Sequence, residues 1–186
     1  MTSDLEALPV LRQGDVCSVD FFPHWDLRRS AYVSAGGSTV SAQVPEFGQT
    51  IRAAHDTDQR LVIVCSYDCD LENPRARKGI LVAPLIPVPP THSQHGAIAG
   101  CGTPDINDAG DPVFSFLNYF PVILRDHIDG PVELAAAEFS AITTLGPAVP
   151  AIESLVQSKI WEMTEDQRVD FRTKLSVFVG RPELKA

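Results

Sequence analysis

The chain is poor in positive charge: Lys and Arg number 15 against 24 Asp and Glu in 186 residues, a formal net charge of −9. Tight nonspecific nucleic-acid binding draws most of its affinity from cations that neutralise phosphates, so this balance argues against that class. The chain also lacks any run of ~18 continuous apolar residues, which excludes a helical membrane span. Its first dozen residues, MTSDLEALPVLR, carry neither the basic stretch nor the apolar segment of a secretory signal, so a cytoplasmic location is expected. Cysteine is scarce, at positions 17, 65, 69 and 101 only, and reduced thiols are expected in place of a disulfide framework. There is no internal repeat and no low-complexity linker. With 44% hydrophobic residues, that reads as one domain over residues 1–186 with a substantial core.

What is present centres on Arg60 to Val88. Leu61-Val62-Ile63-Val64-Cys65 and Gly79-Ile80-Leu81-Val82-Ala83 are short β-branched and apolar runs, too short for helices, and each reads as a buried strand. Between them Glu72-Asn73-Pro74 carries turn chemistry, and Arg75-Ala76-Arg77-Lys78 is the one visible basic cluster, placed on a solvated loop. The pair therefore presents Ser66, Asp68, Cys69 and Asp70 at the end of its first strand. Asp68, Cys69, Asp70, Arg75 and Arg77 form the expected binding loop on a rigid base. Carboxylates are expensive to bury unpaired, so at least one is expected to face solvent or to meet a backbone N–H or an arginine, Arg60 being the nearest candidate.

Around this pair, Val16 to Phe22 alternates with period 2, predicting a half-buried strand whose core face carries Cys17, Val19 and Phe21 and which ends at Pro23. Ala31-Tyr32-Val33 and Thr39 to Val44 predict two further strands, with a helical turn at Ile51 to Ala54. The prolines of Pro84 to Pro90 and the Gly, Asp and Asn of the segment to Gly110 predict a long surface loop with no helix. Val113 to Phe120 reads as an aromatic strand, and Val132 to Ile142 as another. At the end, Thr164 with Gln167 three residues on is a capping box, Glu165 and Asp166 suit a helix N-terminus, and Phe171, Leu175, Phe178 and Val179 recur at helical spacing up to Gly180. A shorter helix is expected over Ile152 to Met163, both helices packing outside the sheet. The fold class is thus mainly β (α+β): an SH3-like barrel or strongly curved antiparallel sheet over about residues 10–145, with an inserted hairpin and C-terminal helices over about 150–181.

Other groupings invite chemistry. Cys65-x3-Cys69 with His92 and His95, and Cys101 nearby in sequence, supply soft ligands of the kind zinc takes in fours, but C-x3-C with one member in a strand is not the usual knuckle spacing. No metal and no cofactor is expected. Asp105 to Asp111 imitates a calcium loop without its closing Glu and reads as an acidic turn. Asp126-His127 are neighbours on the chain, which on a strand would point to opposite faces, so they read as exposed residues.

The order Gly14-Asp15-Val16, Arg60 through Ser66 in RLVIVCS, and Val82-Ala83-Pro84 resembles the MazF/PemK toxin family of small SH3-like barrels, over the first half of the chain. That resemblance implies RNA cleavage, with Arg60 stabilising the phosphorane-like transition state; the family's assisting hydroxyl, a Thr after Ala-Pro, is replaced here by Ile86, and on the enzyme reading Ser66 is the other candidate catalytic residue. Ser66-Tyr67-Asp68-Cys69-Asp70-Leu71 also resembles the S-x-x-C-D-L signature of a group of uncharacterised bacterial proteins. Acidity, the missing Thr and the long decorations favour a non-catalytic barrel that binds a protein partner or regulates, within a toxin-antitoxin or defence-type system. The alternative is an RNA-cleaving toxin using Arg60.

Overall fold

In chain order the strands are β1 (Val16–Val19), β2 (His24–Asp26), β3 (Ala31–Val33), β4 (Thr39–Val40), β5 (Arg60–Val64), β6 (Ile80–Pro87), β7 (Asp105–Ile106), β8 (Pro112–Val113), β9 (Tyr119–Ile123), β10 (Leu134–Glu138), β11 (Thr143–Leu145) and β12 (Lys159–Trp161). The helices are α1 (Asp68–Glu72), α2 (His95–Ala99), α3 (Ala148–Gln157) and α4 (Glu165–Val179). These come from a computed structural model that describes residues 10–19, 24–26, 31–33, 39–40, 60–73, 75, 78–124 and 134–180, the side chains of 24–26, 31–33, 39–40 and 60 excepted. The expected helical turn at Ile51 to Ala54 and the pair Asp126-His127 lie outside the described residues.

Among those residues the chain is α+β. A seven-stranded antiparallel sheet runs in the order β12-β1-β5-β6-β10-β9, with β11 pairing β6 beside it. Val82 of β6 pairs with Val64 of β5 on one side and Thr143 of β11 on the other, so the two apolar runs singled out in the sequence are neighbouring central strands. Small separate sheets join β2-β3-β4 and β7-β8.

Both faces of the large sheet are covered, which explains why its central strands read as continuous apolar runs. On one face Val16, Ile63, Ala83, Leu85, Ala135 and Ala137 pack with Phe120, Phe139 and the α4 residues Phe171 and Leu175. On the other, Cys17, Val62, Val64, Ile80 and Val82 pack with Leu71 of α1 and with Ala148 and Leu155 of α3, while Leu134 and Ala136 are covered by Ile98 of α2. The alternation expected for β1 is corrected accordingly: Val16 and Cys17 are both fully buried, because each has a core on its own side.

Other expectations change as well. Pro84 and Pro87 lie inside β6, where a loop was expected. Along the edge facing away from β5, β11 pairs Ile80 to Val82 and β10 pairs Leu85 to Pro87, with the 3-10 turn Phe139–Ala141 between them. Pro84 thus occupies the gap in that ladder, where a proline's missing N–H is tolerated. α1 and α2 form where loop was predicted, each a single short turn of helix fixed by one buried residue, Leu71 or Ile98. The single strand expected over Val113 to Phe120 is two, interrupted by Phe116 at φ 47°. The helix expected over Ile152 to Met163 stops at Gln157, and Lys159–Trp161 joins the sheet beside β1. α4 forms with its capping box in place: Thr164 Oγ1 accepts from Gln167 N at 3.3 Å, and Gln167 Oε1 accepts from Thr164 N at 2.9 Å. It covers the core, with Phe171 fully buried. Among the described residues no helix is long and apolar enough to cross a membrane.

Candidate functional site

The turn before β1 is built on Gly14. Its φ of +90° belongs to glycine, and a Cβ there would stand 2.7 Å from Met163 Sδ. Gly14 N–H donates to Val64 O (2.8 Å) and Val64 N–H to Asp15 O (2.9 Å), which brings Gln13 and Asp15 against the end of β5. That is also where α1 begins.

Gln13, fully buried, uses each of its polar atoms. Its backbone N–H donates to Asp68 Oδ1 (2.7 Å), its Nε2 donates to Cys65 O (2.7 Å), its Oε1 accepts from Arg172 Nε (3.1 Å), and its carbonyl accepts from Arg168 Nη1. Arg172 Nη2 closes the circuit onto Asp68 Oδ2. The carboxylate that the sequence reading wished to pair is therefore Asp68, and it meets both a backbone N–H and an arginine. The arginine is Arg172 of α4. Arg60 begins β5, its Cα opposite Val19, and its side chain lies outside the described set.

Asp15 and Arg168 form the deeper half of the network. Both are buried, with Arg168 Nη1 and Nη2 each 3.1 Å from Asp15 Oδ1, while Oδ2 accepts from Arg12 N–H (2.8 Å) and faces Lys159 Nζ at 3.5 Å. Burial pushes the Asp15 carboxyl above its ordinary value, and the Arg12 N–H, Lys159 and Arg168 pull against that rise. Lys159 also donates to Val10 O (2.8 Å) and Glu162, and its ammonium holds the Glu162 carboxyl below the usual range. Together with the Asp68–Arg172 pair, these charges pin the turn, α1 and α4 to one another; Arg168 Nε is buried with no hydrogen-bond acceptor among the described residues.

The remaining expected site residues divide between inside and outside. Ser66 is buried, 3% exposed, and its Oγ accepts from Leu81 N–H at 2.8 Å, so the hydroxyl holds β6 in place. Cys65 is buried in the core and burial pushes its thiol up; the Cys17 thiol, beside Asp15, is pushed up to about 12, chiefly by burial. Cys69 is exposed on α1 and Arg75 is exposed beyond it, while Arg77 lies outside the described residues. The zinc grouping is not assembled: among the described residues no three His, Cys, Asp or Glu side chains are gathered as a metal requires. Cys65, just after β5, lies in the sheet core, while Cys69 is exposed on α1. The expected acidic turn is a β7-β8 hairpin in which Asn107 Oδ1 accepts from Ala109 N–H (3.0 Å) and Asp111 N–H (2.8 Å).

Sequence reasoning missed Gln13, Arg168 and Arg172. The signal for the last two was present, because Arg168 and Arg172 stand four apart on a helix with Phe171 and Leu175, so one basic row borders the buried face. It also missed Tyr67 and Leu81, which are 52% and 43% exposed at the edge just described. No protein-family model, curated protein or solved structure matches this chain.

Proposed function

We propose that this chain is a non-catalytic, SH3-like module that binds a protein partner or regulates one, as in a toxin-antitoxin or defence-type system, and that it meets its partner with the edge formed by Ser66 to Leu71 and Leu81. The observation that carries this reading is the contrast at that edge. Its polar groups are engaged inward, Ser66 by Leu81 and Asp68 by Gln13 and Arg172, while Tyr67 and Leu81 stand out toward solvent. Their chain segments are fastened together by Cys65 N–H and Ser66 N–H donating to Leu81 O at 2.8 and 3.2 Å. A tyrosine and a leucine on a fixed base, rimmed by the exposed Arg75 and Lys78, have the make-up of an interface anchor. Burial pushes the thiols of Cys17 and Cys65 up, which makes these two poor nucleophiles.

The test is affinity isolation of the tagged protein from its native cells, with Tyr67→Ala and Leu81→Ser made in parallel. The expected result is a specific companion protein lost in both variants while their melting temperatures hold. RNA cleavage and growth arrest on expression, both abolished by Arg60→Ala, would replace this reading with that of an RNA-cleaving toxin.

A further inference from the structure

Lys174 sits on α4 with no exposed surface, away from the Gln13 network. Its Nζ donates to Cys101 O and, at 3.1 Å, to Ser115 O, and stands 5.2 Å from the centre of the Phe114 ring. Cys101 and Ser115 are the two legs of the excursion that carries the β7-β8 hairpin. One ammonium therefore closes the base of this arm, between carbonyls that accept strongly from a cation and an aromatic face that attracts one. Burial holds the Lys174 pKa below its ordinary value.

The second leg is strained immediately beyond that contact. Phe116 has φ 47°, the left-handed region that a bulky side chain rarely adopts, and the turn is closed by Tyr119 N–H donating to Phe116 O at 2.9 Å. The arm itself is outward: Asp105 through Asp111 are all exposed, as is Val113. Beneath its base lies Cys101, fully buried, its thiol 3.5 Å from Tyr119 O.

We propose that residues Gly102 to Ser115 form an arm that opens as a unit while the sheet stays folded, with Lys174 as the latch and the backbone strain at Phe116 as the force the latch holds. This goes beyond the partner-binding edge and does not depend on it. The arm is a conformational device built into the fold: closed, it holds its first leg at Cys101 through the carbonyl on Lys174; open, it releases that leg and with it the Cys101 thiol, hydrates Lys174 and lets Phe116 return to an ordinary backbone conformation.

The cysteines supply the measurement. Cys69 is exposed and reacts at once, Cys17 and Cys65 are buried in the sheet and report global unfolding, and Cys101 reports the arm. Timed labelling of the full chain with N-ethylmaleimide, resolved by peptide mass spectrometry, gives each rate. The expectation is that wild-type Cys101 labels at least tenfold faster than Cys17 and Cys65, that Lys174→Met speeds Cys101 a further tenfold without moving the other two, and that adding Phe116→Asn, a residue tolerant of that φ, reverses part of the gain. Should Lys174→Met not fold, Phe114→Leu, which keeps the lysine and both carbonyls and removes only the ring, is expected to speed Cys101 about threefold. Cys101 labelling in step with Cys17 and Cys65 in wild type, or acceleration of all buried thiols together in the variants, would overturn the proposal, as would an unchanged rate on adding Phe116→Asn.

Discussion

Gln13 shows how far a single residue can specify its surroundings: its backbone and side-chain donors are spent on Asp68 and Cys65, and its backbone and side-chain acceptors on Arg168 and Arg172 of α4. Glutamate in its place keeps the acceptor for Arg172 and loses the donor to Cys65; methionine keeps the shape and loses both. The same economy makes Asp15 costly to alter. Asp15→Ala leaves Arg168 charged and buried without its carboxylate, so unfolding free energy is expected to fall by about 3–5 kcal/mol, measured by urea titration. A loss below about 1 kcal/mol would mean that water or Glu165 replaces Asp15 easily. Asp68→Ala removes an acceptor from Gln13 N–H and a partner from Arg172. That pair is about one-third exposed, at 33% and 32%, so solvent screens it and a loss of only about 1–2 kcal/mol is expected. Lys174 gives a pH signature. Because its folded pKa is depressed, the unfolded chain binds the proton more readily, and stability rises as pH climbs from the depressed value toward the unfolded value of about 10.4. Cys17 and Cys65 act with the opposite sign, their thiols ionising more readily when unfolded. The diagnostic quantity is therefore the stability of wild type minus that of Lys174→Met, which is expected to grow with pH across the alkaline range; a flat difference would show that Lys174 titrates as it does in water.

At the scale of elements, α4 organises the fold. Phe171 meets Phe120 edge-on with ring centres 5.1 Å apart and Phe139 at 5.6 Å, and Phe139 in turn meets Phe178 at 5.6 Å. Phe171→Ala opens a cavity in this cluster and is expected to cost about 3–5 kcal/mol, while Thr164→Ala, which removes the cap alone, is expected to cost about 1 kcal/mol; chemical denaturation ranks the two, and equal losses would contradict this account of the helix. This helix was legible in the sequence because its cap, its first-turn acids and its apolar spacing all agree. β5 and β6 were legible as buried strands, since a sheet covered on both faces leaves a continuous apolar run. β1 was found but its burial misread: four residues are too few to show that Val16 and Cys17 face separate cores. α1 and α2 were not legible, because five-residue helices held by one buried side chain carry no periodicity to detect. Of the candidate site, the Ser66 to Leu71 segment was located from its position after a strand and its turn chemistry. Its partners Gln13 and Arg172 were not: they lie 55 and 104 residues from Asp68, and although the row of Arg168 and Arg172 beside the buried face of α4 was visible, nothing local says what that row meets.

For the whole molecule, the charges of Asp15, Arg168, Asp68 and Arg172 bind segments together, while the exposed Arg75 and Lys78 meet solvent. Deleting residues 165–180 removes Arg168, Arg172, Phe171 and Lys174 at once. The expected product is a compact, loosely packed chain that binds a hydrophobic dye and melts without a sharp transition, seen by dye fluorescence and near-ultraviolet dichroism; a cooperative melt would show that the sheet suffices alone. The circuit through Gln13 then acquires a temporal meaning. A ribosome releases Gln13 and Asp15 early, and the arginines that satisfy them, more than 150 residues later. Until α4 emerges, Asp15 lacks its arginine, and Phe120 and Phe139 lack the cover of Phe171. The circuit closes only once α4 has emerged, so a fragment that ends before it is expected to be the stickier species, read by a hydrophobic dye.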